Sequence, residues 1–200
     1  MPSLAESVGK ELKTILVIAG VIWAIFLVSL VWPGIREFGL RPRSVRGLIG
    51  IVTMPLLHKD LKHIVSNTIP LVVLLFLLAG SRARWWLIVI EITVLSGVIL
   101  WVAGWGSDRV HIGASALISG LVAFLILGGY FERRPLSIAV AIITFVLYGG
   151  SLLSGIIPRN PGVSWDGHLY GAIAGGLLAF QLAHPVNPLA HLGKSRKAKA

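Results

Sequence analysis

Six apolar stretches of near-spanning length constrain the fold of this 200-residue chain more than any other feature. They cover residues 12–32, 61–79, 85–104, 113–131, 135–152 and 166–183. A helix needs about 20 residues to cross the roughly 30 Å hydrocarbon core of a bilayer. The composition agrees, because 56% of the residues are hydrophobic and only 13% are charged. The sequence therefore predicts an all-α, polytopic protein of the lipid bilayer, with six transmembrane helices in one domain, 1–183.

The two ends of the chain are expected to differ. The first apolar stretch is too long for the hydrophobic part of a signal peptide and lacks a clear cleavage site, so we expect an uncleaved anchor. The last residues, 184–200, end in "GKSRKAKA". A basic, low-complexity segment of this kind is typical of a disordered tail close to anionic lipid.

The basic residues indicate an orientation for the predicted bundle, whose net charge is +10. Ten Lys and Arg fall on the side of both termini and eight on the other, where six belong to the long segment 33–60 or directly follow it. Because short loops carry most weight, both termini are predicted to be cytoplasmic. Nucleic acid is not expected as a partner, since no soluble patch is large enough to bind it.

Two connections between the apolar stretches are unusual. Segment 33–60 mixes Pro, Gly and Arg with an apolar patch too short to span, which favours an interfacial or re-entrant structure. Segment 104–112, "GWGSDRVHI", is polar at the membrane boundary. Non-helical backbone at that level is tolerated only where it is buried in protein or lines a wet cavity.

Four polar residues fall at one depth in the predicted bundle. Counted at 1.5 Å per residue from the far ends of their helices, Ser115, His168 and His63 lie about 26, 23 and 24 Å along them. Asn67 follows His63 by one turn, on the same face. Polar residues are expensive to keep inside a membrane, so their coincidence at one level favours a functional site over packing alone.

Small residues indicate that the fourth and sixth helices approach closely. The sixth contains an i, i+4, i+8 stripe formed by Gly167, Gly171 and Gly175. On the fourth, Ser115 and Ser119 form a second ridge of small side chains, and such ridges let helix backbones come near contact. His168 borders the glycine stripe and is expected to reach the Ser115 hydroxyl, as a Ser–His pair requires.

These residues resemble a known family. "HKDLKHIVSN" with His63 and Asn67, "HIGASALISG" with Ser115, and "SWDGHLYGAIAGG" with His168 are similar to the three signature segments of the rhomboid intramembrane serine proteases, in the family's order. The match covers the core, about 45–183. The resemblance implies that Ser115 attacks the scissile carbonyl and that His168 is general base and then general acid. It also implies that His63 and Asn67, with the Ser115 N–H, stabilise the oxyanion.

Further roles follow from the same resemblance. Gly113 would let the substrate backbone approach, and Gly171 would hold two helices together. His58, five residues before His63 and expected nearer the water, is a candidate anchor for the first long loop. Asp166 lies only two residues from His168 on one helix and points elsewhere, so a dyad is expected rather than a triad. The substrate would be a transmembrane protein with a helix-destabilising stretch near the outer end of its span, and no cofactor is implied.

The sequence also departs from the family pattern. Ala116 stands where the family commonly has glycine, which leaves the backbone donor intact. Ser119 stands where the family often has an aromatic residue that packs on the catalytic imidazole. A different side chain is then expected to pack on His168.

Three other functions were weighed against proteolysis. A catalytically silent pseudoprotease that binds transmembrane clients would usually lack the Ser or the His, and both are present. A metal-dependent enzyme would draw on His58, His63, His111 and His168, but there is no H-E-x-x-H motif, few acids are available to complete a ligand set, and the chain has no cysteine. A transporter or channel would be expected to show internal repeats or broken helices, and none is seen.

Overall fold

A computed structural model of the chain describes residues 4–106, 109–158 and 164–185, which form helices and no β-strand. In chain order the α-helices are α1 (Leu4–Val31), the short α2 (Gly50–Thr53), α3 (Leu61–Ser81), α4 (Trp85–Ala103), α5 (Ser115–Glu132), α6 (Pro135–Gly155) and α7 (Trp165–Ala183). The predicted all-α fold is confirmed, with long helices at the six expected positions. The predicted basic tail lies outside the described residues from 186 onward.

The long helices differ in how apolar they are. By length and composition, five described segments can cross a membrane: Val8–Val31 of α1, and the whole of α3, α4, α5 and α6. The expected sixth span, α7, has 19 residues, as many as α4, but its first turn contains Asp166 and His168 and its middle is rich in glycine. It tolerates this composition because it packs chiefly against α5 and α4.

Local sequence explains where the helices of the site begin. Asp60 caps α3, and its carboxylate accepts the His63 N–H at 2.8 Å. Ser164 caps α7 in the same manner and accepts the Gly167 N–H at 3.2 Å. The first turns of α3, α5 and α7 meet at one end of the bundle, which we call the site end.

Helices α5 and α7 touch through their backbones. A side-chain carbon added at Gly171 would collide with the Ala116 carbonyl oxygen, and one added at Gly175 with that of Gly120. Two facing pairs of small residues therefore remove the gap that side chains normally impose between helices. This contact sets the distance between the helix of Ser115 and the helix of His168.

The ridge of α5 that faces α7 is not the expected one. It consists of Ala116 and Gly120, and Ser115 and Ser119 lie on the neighbouring face, towards the cavities described below. Gly167 also departs from the expected stripe. A side-chain carbon there would lie 2.8 Å from Ser164 Oγ and 3.8 Å from α4, so its closest surroundings are its own helix cap. Because an α-helix has 3.6 residues per turn, residues spaced four apart do not stay on one face. Gly167 is therefore rotated away from the face of Gly175.

Segment 33–60 does not cross the bundle. It forms short 3-10 helices at Pro33–Phe38, Val45–Ile49 and Met54–Leu56, with α2 between the last two. Leu40 is fully buried and pairs with His111 as an isolated β-bridge, in which His111 N–H donates to the Leu40 carbonyl at 2.7 Å and Leu40 N–H donates back at 3.0 Å. Arg43 N–H donates to the Trp101 carbonyl at 2.8 Å. The segment is thus fixed to the site end of α4 and to the approach to α5.

The opposite end of the bundle is joined by a partly buried ion pair. Arg82, just after α3, contacts the Glu132 carboxylate at the end of α5 with Nη1 to Oε2 at 2.7 Å. Ser137 Oγ of α6 donates to the same oxygen at 2.8 Å. The guanidinium also lies 5.6 Å from the centre of the Phe124 ring. Three helices are therefore connected at this end through one carboxylate.

Candidate active site

A polar cavity of about 690 Å³ opens at the site end. It is lined by Ser115, His168, His63 and Asn67, the four residues that the depth count placed at one level. They reach it from α5, α7 and α3. His111 and Ser164, from the two connections that precede α5 and α7, also line it.

Ser115 is the first residue of α5. The helix begins there rather than at 113, because Gly113 has φ +116°, a backbone conformation outside the helical region that glycine adopts readily. The preceding Ala114 provides no side-chain cap. The N–H of Ser115 is therefore one of the donors that α5 cannot satisfy itself, at the positive end of the helix dipole.

His168 is packed by a residue that the sequence analysis missed. A side-chain carbon added at Gly155, the last residue of α6, would clash with His168 Nδ1, so that nitrogen lies against the α6 backbone. This leaves Nε2 as the nitrogen available to the cavity. Gly155 thus packs on the imidazole. In the family pattern this contact often comes from an aromatic residue at the position of Ser119. The only signal of Gly155 in the sequence was a glycine at a helix end.

His63 and Asn67 converge on Gly113. A side-chain carbon at Gly113 would lie 2.5 Å from His63 Nε2 and 3.3 Å from Asn67 Nδ2. The Lys59 N–H points at His63 Nδ1 from 3.5 Å, which places the ring proton on Nε2. Asn67 is 6% exposed, and its buried Nδ2 has no hydrogen-bond partner among the described residues. The side-chain donors of His63 and Asn67 therefore face the backbone at Gly113, a position without a side chain.

His58, the candidate loop anchor, is not nearer the water as expected. It is 1% exposed, and its ring lies edge-on to that of His63 with centroids 5.1 Å apart. Neither ring nitrogen has a hydrogen-bond partner within the described part of the chain. Burial, and then the neighbouring His63, lower the pKa of His58 to about 4; the nearby Leu56 backbone opposes this with a smaller effect, although no ring nitrogen meets it with hydrogen-bond geometry. In this structure His58 packs with its ring edge-on to the ring of His63.

Ser115 and His168 share the cavity without a hydrogen bond between them in this structure. Asp166 does not bond to His168 either. Its carboxylate accepts from Ser164 Oγ at 2.7 Å and from the N–H groups of Trp105 at 2.9 Å and Gly167 at 3.0 Å. The expected exclusion of Asp166 from a triad agrees with these contacts.

A second cavity, of about 500 Å³, continues from the first between α3, α5 and α6. Ser115, Asn67 and His168 line both cavities. The remaining walls are mainly apolar and include Ile118, Leu147 and other residues of the three helices. Ser119 lies in this wall, so the small residue at that position leaves open space beside the nucleophile. A polar chamber and an apolar one thus meet at Ser115.

The family model of the Rhomboid domain matches residues 45–185, well over half of the chain and all of the site described above. The chain belongs to the rhomboid family. With five described helices apolar enough to span, this rhomboid is an integral, multi-pass membrane protein. The matched region begins after α1, within segment 33–60.

This rhomboid is also similar to mycobacterial proteins. It is 43% identical over 155 residues to the uncharacterized protein Rv1337 of Mycobacterium tuberculosis, covering 74% of this chain and 64% of that protein. It is 41% identical over 155 residues to the uncharacterized protein ML1171 of Mycobacterium leprae, with 74% and 61% covered. The chain therefore spans a little under two thirds of the length of these relatives.

Proposed function

We propose that this rhomboid is an intramembrane serine endopeptidase that cleaves transmembrane segments of membrane proteins. Ser115 attacks the scissile carbonyl, and His168 takes the hydroxyl proton as general base and returns it to the leaving amine as general acid. His63, Asn67 and the Ser115 N–H donate to the negative oxygen of the tetrahedral intermediate. Water then releases the acyl group from Ser115 by the same proton transfers.

The observation that carries this proposal is the unpartnered Asn67 Nδ2 beside Gly113. A buried donor left without an acceptor costs about 1–3 kcal/mol, and a packing role would not require it. An acceptor that forms only during the reaction accounts for the free donor. Asn67 lines the cavity that Ser115 and His168 also line, so the acceptor would arise near the nucleophile.

A second candidate is a silent rhomboid that binds transmembrane clients without cutting them. The missing hydrogen bond between Ser115 and His168 favours it, since a base must reach the proton that it removes. Catalytic hydrogen bonds are, however, often long until substrate binds, and the Gly171 contact holds the two helices close. The protease therefore remains the proposal, and the binder becomes an outcome of its test.

The two cavities suggest how a substrate would lie. A protease must bind an extended backbone, and a stable helix hides its carbonyl groups in internal hydrogen bonds. The apolar cavity would hold the part of the substrate that continues into the membrane, and the polar cavity the unwound part next to it. Both termini of the enzyme would be cytoplasmic and the polar cavity would open to the outer side of a bacterial inner membrane.

The test uses the full chain in liposomes with a set of fluorogenic transmembrane substrates, each carrying a helix-breaking stretch near one end. Wild type should cleave members of the set and react with a serine-directed fluorophosphonate, and Ser115→Ala should do neither. Ser151→Ala is the matched control, because Ser151 lines the apolar cavity and bonds only its own helix. Binding of these substrates by wild type with no cleavage and no labelling would establish the silent binder instead.

A further inference from the structure

A second polar cluster lies at the wall of the active-site cavity. It consists of His111, Ser164 and Asp166, of which His111 is 6% and Asp166 3% exposed. His111 Nδ1 lies 2.8 Å from Ser164 Oγ, and Ser164 Oγ lies 2.7 Å from Asp166 Oδ1. Neither the nucleophile, the base nor the oxyanion donors belong to it.

The protons of this cluster can be assigned from its distances. The Ser164 hydroxyl has one proton, and the carboxylate of Asp166 is an acceptor only, so Ser164 donates to Asp166. His111 must then donate from Nδ1 to Ser164 Oγ. Burial lowers the pKa of His111, the neighbouring Asp166 opposes this, and Arg109 adds a smaller lowering. The chain of donors runs in one direction, from His111 through Ser164 to Asp166.

The cluster connects the two segments that deliver the catalytic residues. His111 lies four residues before Ser115 and is paired through its backbone with Leu40 of the first long loop. Asp166 lies two residues before His168, and its Oδ2 accepts the Trp105 N–H at 2.9 Å. One carboxylate thereby ties the start of α7 to both ends of the connection that leads into α5.

The first turn of α7 does not need this carboxylate as a helix cap. Ser164 already caps the helix through the Gly167 N–H, with the ordinary geometry of an N-cap serine. Burying a carboxylate costs free energy, which its three short hydrogen bonds only offset. The added connections to Trp105 and His111 do not lengthen or extend the helix. What they do is fix its rotation and height relative to the segment that ends at Ser115.

We propose that Asp166 is a positioning residue, which acts through Ser164 and His111 to hold the first turn of α7 in register with the start of α5 and so aligns His168 with Ser115. The inference rests on the proposed proteolytic function. Its consequence is specific: loss of Asp166 should lower the turnover rate while substrate still binds, because the cavity walls that contact substrate are unchanged. Displacement of a catalytic group by about 1 Å can lower the rate by about 100-fold.

The experiment compares Asp166→Asn with Tyr170→Phe in the full chain in liposomes. Tyr170 is the matched control, since its hydroxyl donates to the Ala103 carbonyl at 2.9 Å and so also ties α7 to the end of α4, without touching the cluster. We expect Asp166→Asn to lower kcat about 10- to 100-fold, with KM and the unfolding midpoint in SDS close to those of wild type. Labelling of Ser115 by fluorophosphonate should slow by a similar factor. Tyr170→Phe should keep the wild-type kcat.

His111 provides a second test in case Asp166→Asn does not fold. His111→Asn keeps a donor near the position of Nδ1, and His111→Leu removes it. Leu should lower kcat and Asn should restore much of it, at equal protein stability. If the cluster acts as one unit, adding Asp166→Asn to His111→Leu should cause little further loss.

Three results would overturn the inference. The first is wild-type kcat in Asp166→Asn and His111→Leu. The second is a loss confined to KM, and the third a loss that follows the unfolding midpoint equally in Tyr170→Phe. These differ from failure of the proposed function, in which wild type itself would neither cleave nor label and the inference would fall with it.

Discussion

The two ends of α5 place polar side chains among apolar helices in opposite ways. At the Glu132 end, one carboxylate accepts from Arg82 and Ser137, and both members of the ion pair are mostly buried, with 17% and 13% of their side chains exposed. At the Ser115 end, Asn67 Nδ2 is buried beside the nucleophile with no acceptor in the described structure. At the Glu132 end the buried carboxylate already has its partners. At the Ser115 end a buried hydrogen-bond donor has none among the described residues.

This difference separates stability from function within one helix. Removing one partner of a buried ion pair destabilises the folded protein, because the other charge remains buried alone. A buried donor without a partner lowers the stability of the folded protein, so its presence indicates a role in function. Mutations at the Glu132 end should therefore act on folding, and mutations at the Ser115 end on turnover. The predictions below test that division.

The largest effect is expected from the dyad itself. His168→Ala should reduce cleavage to the level of Ser115→Ala, and the double variant should be no worse than either, because both residues serve one proton transfer. The measurement is single-turnover cleavage in liposomes, together with the SDS unfolding midpoint. A variant that keeps more than a few per cent of wild-type turnover would show that another base operates.

The oxyanion donors come next. Asn67→Ala and His63→Ala should each lower kcat by roughly 10- to 1000-fold and leave KM nearly unchanged, because donors of this kind act only once charge develops. The two losses should combine non-additively if both donors meet one oxygen. Ser66→Ala is the control, since Ser66 lines both cavities and bonds only the His63 carbonyl. Loss confined to KM, or variants that melt, would remove these residues from the catalytic assignment.

The sequence could predict the part of the site that depends on regular helix geometry. A constant rise per residue places Ser115, His168 and His63 at one depth whatever the loops do, and the structure brings them to one cavity. It could not predict Gly155, because which part of α6 reaches the imidazole depends on how that helix packs. The contact ridge of α5 was misjudged for the same reason, since the rotation of one helix against another is a property of the pair.

The His111 cluster shows a second limit of sequence reasoning. His111 and Ser164 lie just before α5 and α7, and Asp166 lies in the first turn of α7, so no single helical period relates the three positions in space. His58 is similar, because a histidine five residues before His63 is expected nearer the water, and the structure buries it against the His63 ring. In both cases long-range packing decided the environment.

At the Glu132 end, the expected effect is on stability. Arg82→Gln should lower the free energy of unfolding by about 1–3 kcal/mol, less than for a fully buried pair, since it leaves the mostly buried Glu132 carboxylate with Ser137 but without its cation. The folded fraction should keep wild-type kcat, because the ion pair lies at the far end of the bundle. The measurement is SDS unfolding combined with active-site titration. Arg84→Gln is the control, as Arg84 is exposed and makes no ion pair in the described structure. A fall in kcat per folded molecule would show that the Glu132 end of α5 also affects turnover, and the division between the two ends would be wrong.

The smallest effect concerns His58, and it appears only as a dependence of stability on pH. In the folded protein the pKa of His58 is lowered to about 4, chiefly by burial, whereas an exposed histidine has a pKa near 6.5. Between these values the unfolded chain binds a proton that the folded chain does not, so the free energy of unfolding falls as the pH falls from about 6.5 to about 4. Above 6.5 both states are neutral, and His58 contributes no slope.

Replacing His58 by phenylalanine isolates this contribution, because the new ring can keep the edge contact with His63 and cannot titrate. The SDS unfolding free energy of wild type should lose up to about 1.4 kcal/mol per pH unit more than that of His58→Phe between pH 6.5 and 4.5, and the two slopes should match above pH 7. His184→Gln, at an exposed site after α7, controls for removal of any histidine. Equal slopes in wild type and His58→Phe would mean that His58 meets water or a hydrogen-bond partner in the membrane, and would place it with the solvated residues of the site end rather than with its buried, unpartnered ones.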